Sequence, residues 1–216
     1  MALDKKAIKE KSRRVLDPLV AALTSLGVPP ILISVLGLVV SFYGAVLLAR
    51  GSLFWSGIWL LIAGLCDILD GSVARRSGRS SSFGAFIDST FDRVGELAYY
   101  GAILVYYINR SETYGSLMFV IIWVALGGSF LVSYTRARVE GLGGSCTIGY
   151  FERPERLTLL IIGLLLGHRM LSFAVIVIAL GTVVTVLQRV HHAHEVLRGA
   201  GTEPGSDAED SRAGQT

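Results

Sequence analysis

Two stretches of this sequence set carboxylates at helical spacing beside residues with little or no side chain. The first reads Asp67-Ile-Leu-Asp70-Gly71-Ser-Val-Ala74-Arg75; after eight further residues the second reads Gly84-Ala-Phe-Ile-Asp88-Ser-Thr-Phe-Asp92. On a helix, Asp67, Gly71 and Ala74 fall at i, i+4 and i+7, so one face carries a carboxylate and then a groove. Gly84, Asp88 and Asp92 repeat the pattern at i, i+4 and i+8. Joined by a short loop, two antiparallel helices can aim four carboxylates at one point. Four like charges repel, so something positive must sit among them, and Arg93 or Arg75 alone cannot balance all four. An all-oxygen cluster suits a hard divalent cation such as Mg²⁺ or Mn²⁺, and a pair of such ions suits phosphoryl transfer, where they clamp the attacking and leaving oxygens. Glycines in the groove let a nucleotide approach the helix backbone closely. Taken singly, Gly71, Ala74 and Gly84 could equally be helix-packing positions and the aspartates interfacial caps. Four aspartates and two glycines in one register favour the site.

The elements that must hold this constellation are membrane helices. The chain has 216 residues, 52% apolar and 17% charged, with a mean hydropathy of +0.57, which a water-soluble domain does not sustain. Its net charge of +3 comes without a basic stripe interleaved with aromatics, so nucleic acid is not a partner. About 20 predominantly apolar residues span a bilayer, and 31–49, 84–108, 114–135 and 171–188 qualify. Two shorter runs join them: 53–66, which continues into Asp67 and Asp70, and 157–167, lengthened by a start near Pro154. Six spans with a cytoplasmic N-terminus place 16 of the 20 Lys and Arg on the inner side, as the positive-inside rule requires.

The expected fold is therefore all-α and integral to the membrane. Residues 1–26 form an amphipathic interfacial helix, with Ile8, Val15, Leu16, Leu19, Val20 and Leu23 opposite the lysines. Residues 27–198 form the six-helix domain, and 199–216, nearly devoid of apolar residues, form a disordered tail. The first fourteen residues lack the apolar core of a signal peptide. Cys66 and Cys146 have no metal-ligand spacing and read as packed thiols. No internal repeat marks a transporter with inverted halves. A cation transporter is the different-class alternative, disfavoured because these aspartates approach a cytoplasmic loop rather than the midplane.

The string Asp-x2-Asp-Gly-x2-Ala-Arg-x8-Gly-x3-Asp-x3-Asp resembles the signature of the CDP-alcohol phosphotransferase family, membrane enzymes that move a substituted phosphate from a CDP-linked lipid or alcohol onto a hydroxyl. Within it the chain looks most like members that join CDP-diacylglycerol to inositol phosphate and release CMP, on the strength of Asp88-Ser-Thr-Phe-Asp92-Arg93, Ser133-Tyr-Thr-Arg136-Ala-Arg138 and Glu152-Arg153-Pro-Glu-Arg156. It departs from them at Arg136, often Lys, and at Ser34, usually Thr. The resemblance implies two metal ions, one on Asp67, Asp70 and Asp88 and one on Asp67, Asp88 and Asp92, with Asp92 also the general base. It implies that Gly71, Ala74, Arg75, Ser81, Gly84 and a turn of Ile31, Leu32, Ile33 and Ser34 hold the CDP lipid. It also implies a homodimer in a bacterial cell membrane, with active site and both termini facing the cytoplasm.

Arg136, Arg138, Arg153, Arg156 and Arg189 lie near the inner ends of the last three spans. For any one of them, topology is reason enough. Convergence of a subset would grip an acceptor phosphate, because planar guanidinium forks bind phosphate bidentately. The runner-up acceptor is glycerol 3-phosphate, which uses the same chemistry.

Overall fold

The computed structural model describes residues 16–110 and 115–200, all helix and connecting turn. Helix α1 covers Leu16–Ser25, and the elements that follow are α2 (Pro30–Ala49), α3 (Leu53–Arg76), α4 (Ser82–Ile108), α5 (Gly115–Gly141), α6 (Arg153–Leu166) and α7 (His168–Ala200). Local chemistry explains the boundaries. Pro30 supplies a preset φ at the first turn of α2. Ser81 caps α4, its Oγ accepting from Gly84 N at 3.0 Å. Gly51 (φ +88) and Gly167 (φ +95) turn the chain between consecutive helices, in a region that side chains rarely adopt.

Helix α2 packs on α3 and α4, α6 bridges α3 and α7, and α7 lies along α5. The core runs through Leu48, Leu60, Tyr99, Ile103, Ile122, Leu164 and Ile178, and a smaller cluster of Val20, Ile33, Cys66, Leu69 and Val73 ties α1 to the ends of α2 and α3. Gly44 makes room for α4 against α2: a Cβ there would lie 2.0 Å from Tyr99 Oη, which donates to Ser56 O at 3.1 Å. Both cysteines are free and buried.

Among the described residues, four helices are long and apolar enough to cross a membrane: Pro30–Ala49, Leu53–Arg76, Ser116–Gly141 and His168–Arg198. Two of the six expected spans, α4 and α6, fall short for different reasons. Helix α4 has 27 residues but carries Asp88, Asp92, Arg93 and Glu96. Helix α6 has 14 residues, about 21 Å at 1.5 Å per residue, against a hydrocarbon core of about 30 Å. Helices α5 and α7 run past the expected span ends, to Gly141 and Ala200, so Arg136, Arg138 and Arg189 stand on helices rather than in loops. Residues 1–15, with Ile8, Val15 and the lysines of the expected interfacial helix, lie outside the described residues, as do residues 201–216 of the expected tail. Of that helix's apolar face, Val20 is buried while Leu19 is 47% exposed.

Candidate active site

The CDP-lipid turn expected at Ile31 to Ser34 lies at the start of α2. Its period directs Ile31 and Ser34 to one side, while Ile33 enters the core at 6% exposed and Leu32 faces outward at 57%. From that side Ser34 Oγ donates to Asp70 Oδ2 at 2.6 Å. Asp70 is buried, and its carboxylate lies with those of Asp67 and Asp88 so that one oxygen from each falls within 4.8 Å of the others. Three carboxylates on two helices thus meet at one point. Their all-oxygen donor set and convergence fit a hard divalent cation.

Asp92 stands one turn beyond Asp88 and is bound differently. Its Oδ1 lies 2.5 Å from Arg153 Nη2 and its Oδ2 lies 3.5 Å from Arg93 Nη1. Arg153 Nη1 also donates to Asp67 Oδ2 at 3.0 Å. The positive charge that the aspartates demand therefore comes from Arg153, at the start of α6, although its place in the sequence suggested the acceptor. Without such a partner the partly buried carboxylates would carry a large electrostatic cost.

Two cavities flank this cluster, and Asp88 lines both. One, of about 460 Å³, is lined by Pro30, Ile31, Ser34, Asp70, Gly71, Ala74, Arg75, Ser81 and Gly84, together with Arg79, Ser80, Phe83 and Ala85. A Cβ at Gly71 would meet only the Arg75 guanidinium, 3.2 Å away, so this glycine opens the wall of the cavity and is not pressed against another helix. Ser81 borders the cavity while its Oγ caps α4.

The other cavity, of about 490 Å³, is lined by Asp88, Asp92, Arg93, Arg136, Glu140, Glu152, Arg153, Arg156 and Arg189, with Val132 and Ser133. Four of the five arginines singled out in the sequence meet here. Arg138 does not: it is exposed on α5 and borders none of these cavities. Arg156 and Arg189 are each 2% exposed and already fastened, Arg156 to Glu96 at 2.7 Å and to Phe151 O at 3.2 Å, Arg189 to Glu152 at 3.0 Å and to the carbonyls of Ile148 and Val132. Arg136 is 46% exposed and rests on Glu140 at 2.9 Å. Both cavities fall in the size range of small-molecule sites.

Residues 27–187 match the sequence pattern of CDP-alcohol phosphatidyltransferases. The chain belongs to that family. It is 34% identical over 189 residues to the phosphatidylinositol phosphate synthase of Streptomyces avermitilis, covering 82% of this chain and 77% of the relative. It is 33% identical over 190 residues to the archaetidylinositol phosphate synthase of Methanothermobacter thermautotrophicus, covering 86% and 92%. The crystal structure of Mycobacterium tuberculosis phosphatidylinositol phosphate synthase with CDP-DAG bound superposes with a TM-score of 0.75 at 30% identity, over 83% of this chain and 94% of that one. The same protein in complex with manganese and citrate gives 0.74, over 87% and 90%.

Some residues of the candidate site escaped the sequence reading. Glu96 had a usable signal, since it extends the Asp88, Asp92 series by another turn on the same face of α4. Arg79, whose Nη1 donates to Gly27 O at 3.3 Å, lies in the α3–α4 loop, where no periodicity applies. Glu152 was read as part of a motif but had no role.

Proposed function

We propose that this enzyme transfers the phosphatidyl group of CDP-diacylglycerol to inositol phosphate and releases CMP. The observation that carries the reading is the aspartate cluster standing in the wall between two unlike cavities. One is bordered by the Gly71–Ala74 groove and the exposed Phe83; the other carries several arginines. The names of the relatives support the choice of donor and acceptor.

The Gly71, Ala74, Arg75 and Gly84 side receives the CDP lipid, its nucleotide against the groove. Asp67, Asp70 and Asp88 would hold one divalent ion and Asp67, Asp88 and Asp92 a second, Mg²⁺ or Mn²⁺ in each case, and the bound ions would supply charge neutralisation at the transferring phosphate. Arg136, Arg156 and Arg189 orient the acceptor through its own phosphate. Asp92, which borders the arginine-lined cavity, takes the proton of the acceptor hydroxyl as its oxygen bonds to the lipid-bearing phosphorus, and the bond from that phosphorus to the CMP oxygen breaks. The reading extends to topology: residues 27–198 cross a bacterial cell membrane six times, with α4 shielding its charges inside the bundle and α6 crossing a thinned section. The N-terminal helix lies on the inner leaflet, and site and termini face the cytoplasm.

CMP release from CDP-diacylglycerol, measured with inositol phosphate, glycerol 3-phosphate and unphosphorylated inositol as acceptors, tests the assignment. Inositol phosphate should be the preferred acceptor. Release that is as fast with unphosphorylated inositol would overturn the phosphate-binding cavity, and a preference for glycerol 3-phosphate would replace the acceptor while keeping the chemistry.

A further inference from the structure

Glu152 occupies the position just before α6 where a side chain ordinarily caps its own helix, yet it makes no capping hydrogen bond. Its Oε1 instead accepts from Arg189 Nη2 on α7 at 3.0 Å and lies 3.8 Å from Arg136 Nη1 on α5. The backbone around it is tightly fastened. Phe151 N donates to Thr185 Oγ1 at 3.1 Å, and Gly149 (φ +130) sits so near that a Cβ would come within 2.7 Å of the Thr185 methyl. The next residue, Arg153, reaches the other way to Asp67 and Asp92. One peptide unit thus connects the arginines of the polar cavity to the carboxylates.

Arg136 shows what this connection does. It is shared between Glu140, one turn along its own helix at 2.9 Å, and Glu152, across the cavity at 3.8 Å. Glu140 holds the guanidinium along α5, and Glu152 draws it over the cavity. We propose that Glu152 is a positioning residue that fixes Arg136 and Arg189 relative to the aspartates and so sets where the acceptor phosphate sits with respect to Asp92. This rests on the proposed function in one respect, that the acceptor is a phosphorylated alcohol. A carboxylate does not bind phosphate, so Glu152 acts through the two arginines. If it merely competed with the substrate for them, removing its charge would tighten acceptor binding.

Two variants separate reach from charge. Glu152→Gln keeps an acceptor oxygen at the same reach without the charge, whereas Glu152→Asp keeps the charge and withdraws it by one methylene. Steady-state kinetics should give Glu152→Asp an acceptor KM raised about tenfold with the KM for CDP-diacylglycerol within about twofold of wild type, the scale of one misplaced charge-assisted contact. Glu152→Gln, which keeps the reach but leaves Arg189 without its counter-charge, should raise the acceptor KM less than Glu152→Asp does, with the KM for CDP-diacylglycerol within about twofold of wild type. The proposal is overturned if the acceptor KM falls in either variant, if Glu152→Gln is the impaired one and Glu152→Asp is not, or if both KM values rise together. The series is run with whichever of inositol phosphate and glycerol 3-phosphate the wild type consumes, so acceptor assignment and Glu152 fail separately. A wild type that consumes neither overturns both.

Discussion

The two cavities beside the aspartates are built on opposite principles. The cavity beside Gly71 is made by leaving things out: Gly71, Ala74 and Gly84 keep its wall free of large side chains, and four charged residues border the space, against nine in the other. The polar cavity is made by fastening things in. Arg156 and Arg189 are almost completely buried and held by Glu96, Glu152 and backbone carbonyls. A groove can be altered without touching the fold, but a buried ion pair cannot, because removing one partner strands the other's charge at a cost of about 3–5 kcal/mol. Lesions on the two sides should therefore differ in what they damage.

The largest effect should come from what the sides share. Chelation by excess EDTA should abolish CMP release, and added Mg²⁺ or Mn²⁺ should restore it; undiminished turnover in chelator would remove the metal ions from the reaction. Next is Asp92→Asn, expected to lower turnover by roughly 10² to 10⁴, the range of a lost general base. CDP-lipid binding should persist in that variant, since Asp67, Asp70 and Gly71 are untouched, and near-normal turnover at saturating metal would exclude Asp92.

Gly71→Leu probes the donor side alone. Because a Cβ added there has the end of the exposed Arg75 side chain as its nearest neighbour and Leu favours helix, helical content by circular dichroism and thermal midpoint in detergent should match wild type. The KM for the CDP lipid should rise sharply while the acceptor KM stays put. An unchanged lipid KM would mean that the groove does not receive the nucleotide.

Arginine substitutions sharpen the contrast within the polar side. Arg136→Ala should raise the acceptor KM about ten- to a hundredfold, as a charge-assisted bond of about 1.5–3 kcal/mol implies, with an unaltered thermal midpoint because Arg136 is half-exposed. Arg156→Ala should impair acceptor use and also lower the midpoint, since Glu96 loses its buried partner. Arg138→Ala should change either KM by no more than about twofold. A large acceptor effect from Arg138 would mean that the arginines act by diffuse charge rather than by contact.

Helix number, order and the aspartate cluster could be read from sequence because they depend on local periodicity: a span shows as a run of apolar residues, and a functional helix face shows as carboxylates and glycines three and four apart. The resemblance to the family, not periodicity, assigned Gly71, Ala74, Arg75, Ser81 and Gly84 to the CDP lipid, and these residues border one cavity. Of the four consecutive residues that the resemblance assigned to the CDP lipid, Ile31 and Ser34 border that cavity, whereas Ile33 enters the core and Leu32 faces outward.

Long-range pairing was decided only in three dimensions. Nothing near Arg153 in the chain announces that it crosses to Asp67, 86 residues away, and nothing distinguishes Arg138 from Arg136 except the direction in which α5 turns each of them. Glu152 and Arg189 lie 37 residues apart, and their contact exists because α6 and α7 fold back on each other and bring the chain before α6 against α7. Local spacing fixes which residues share a helix face, because the backbone geometry repeats every few residues. Which faces meet depends on how whole helices pack, and that is where this enzyme obtains both the counter-charge for its aspartates and the placement of its arginines.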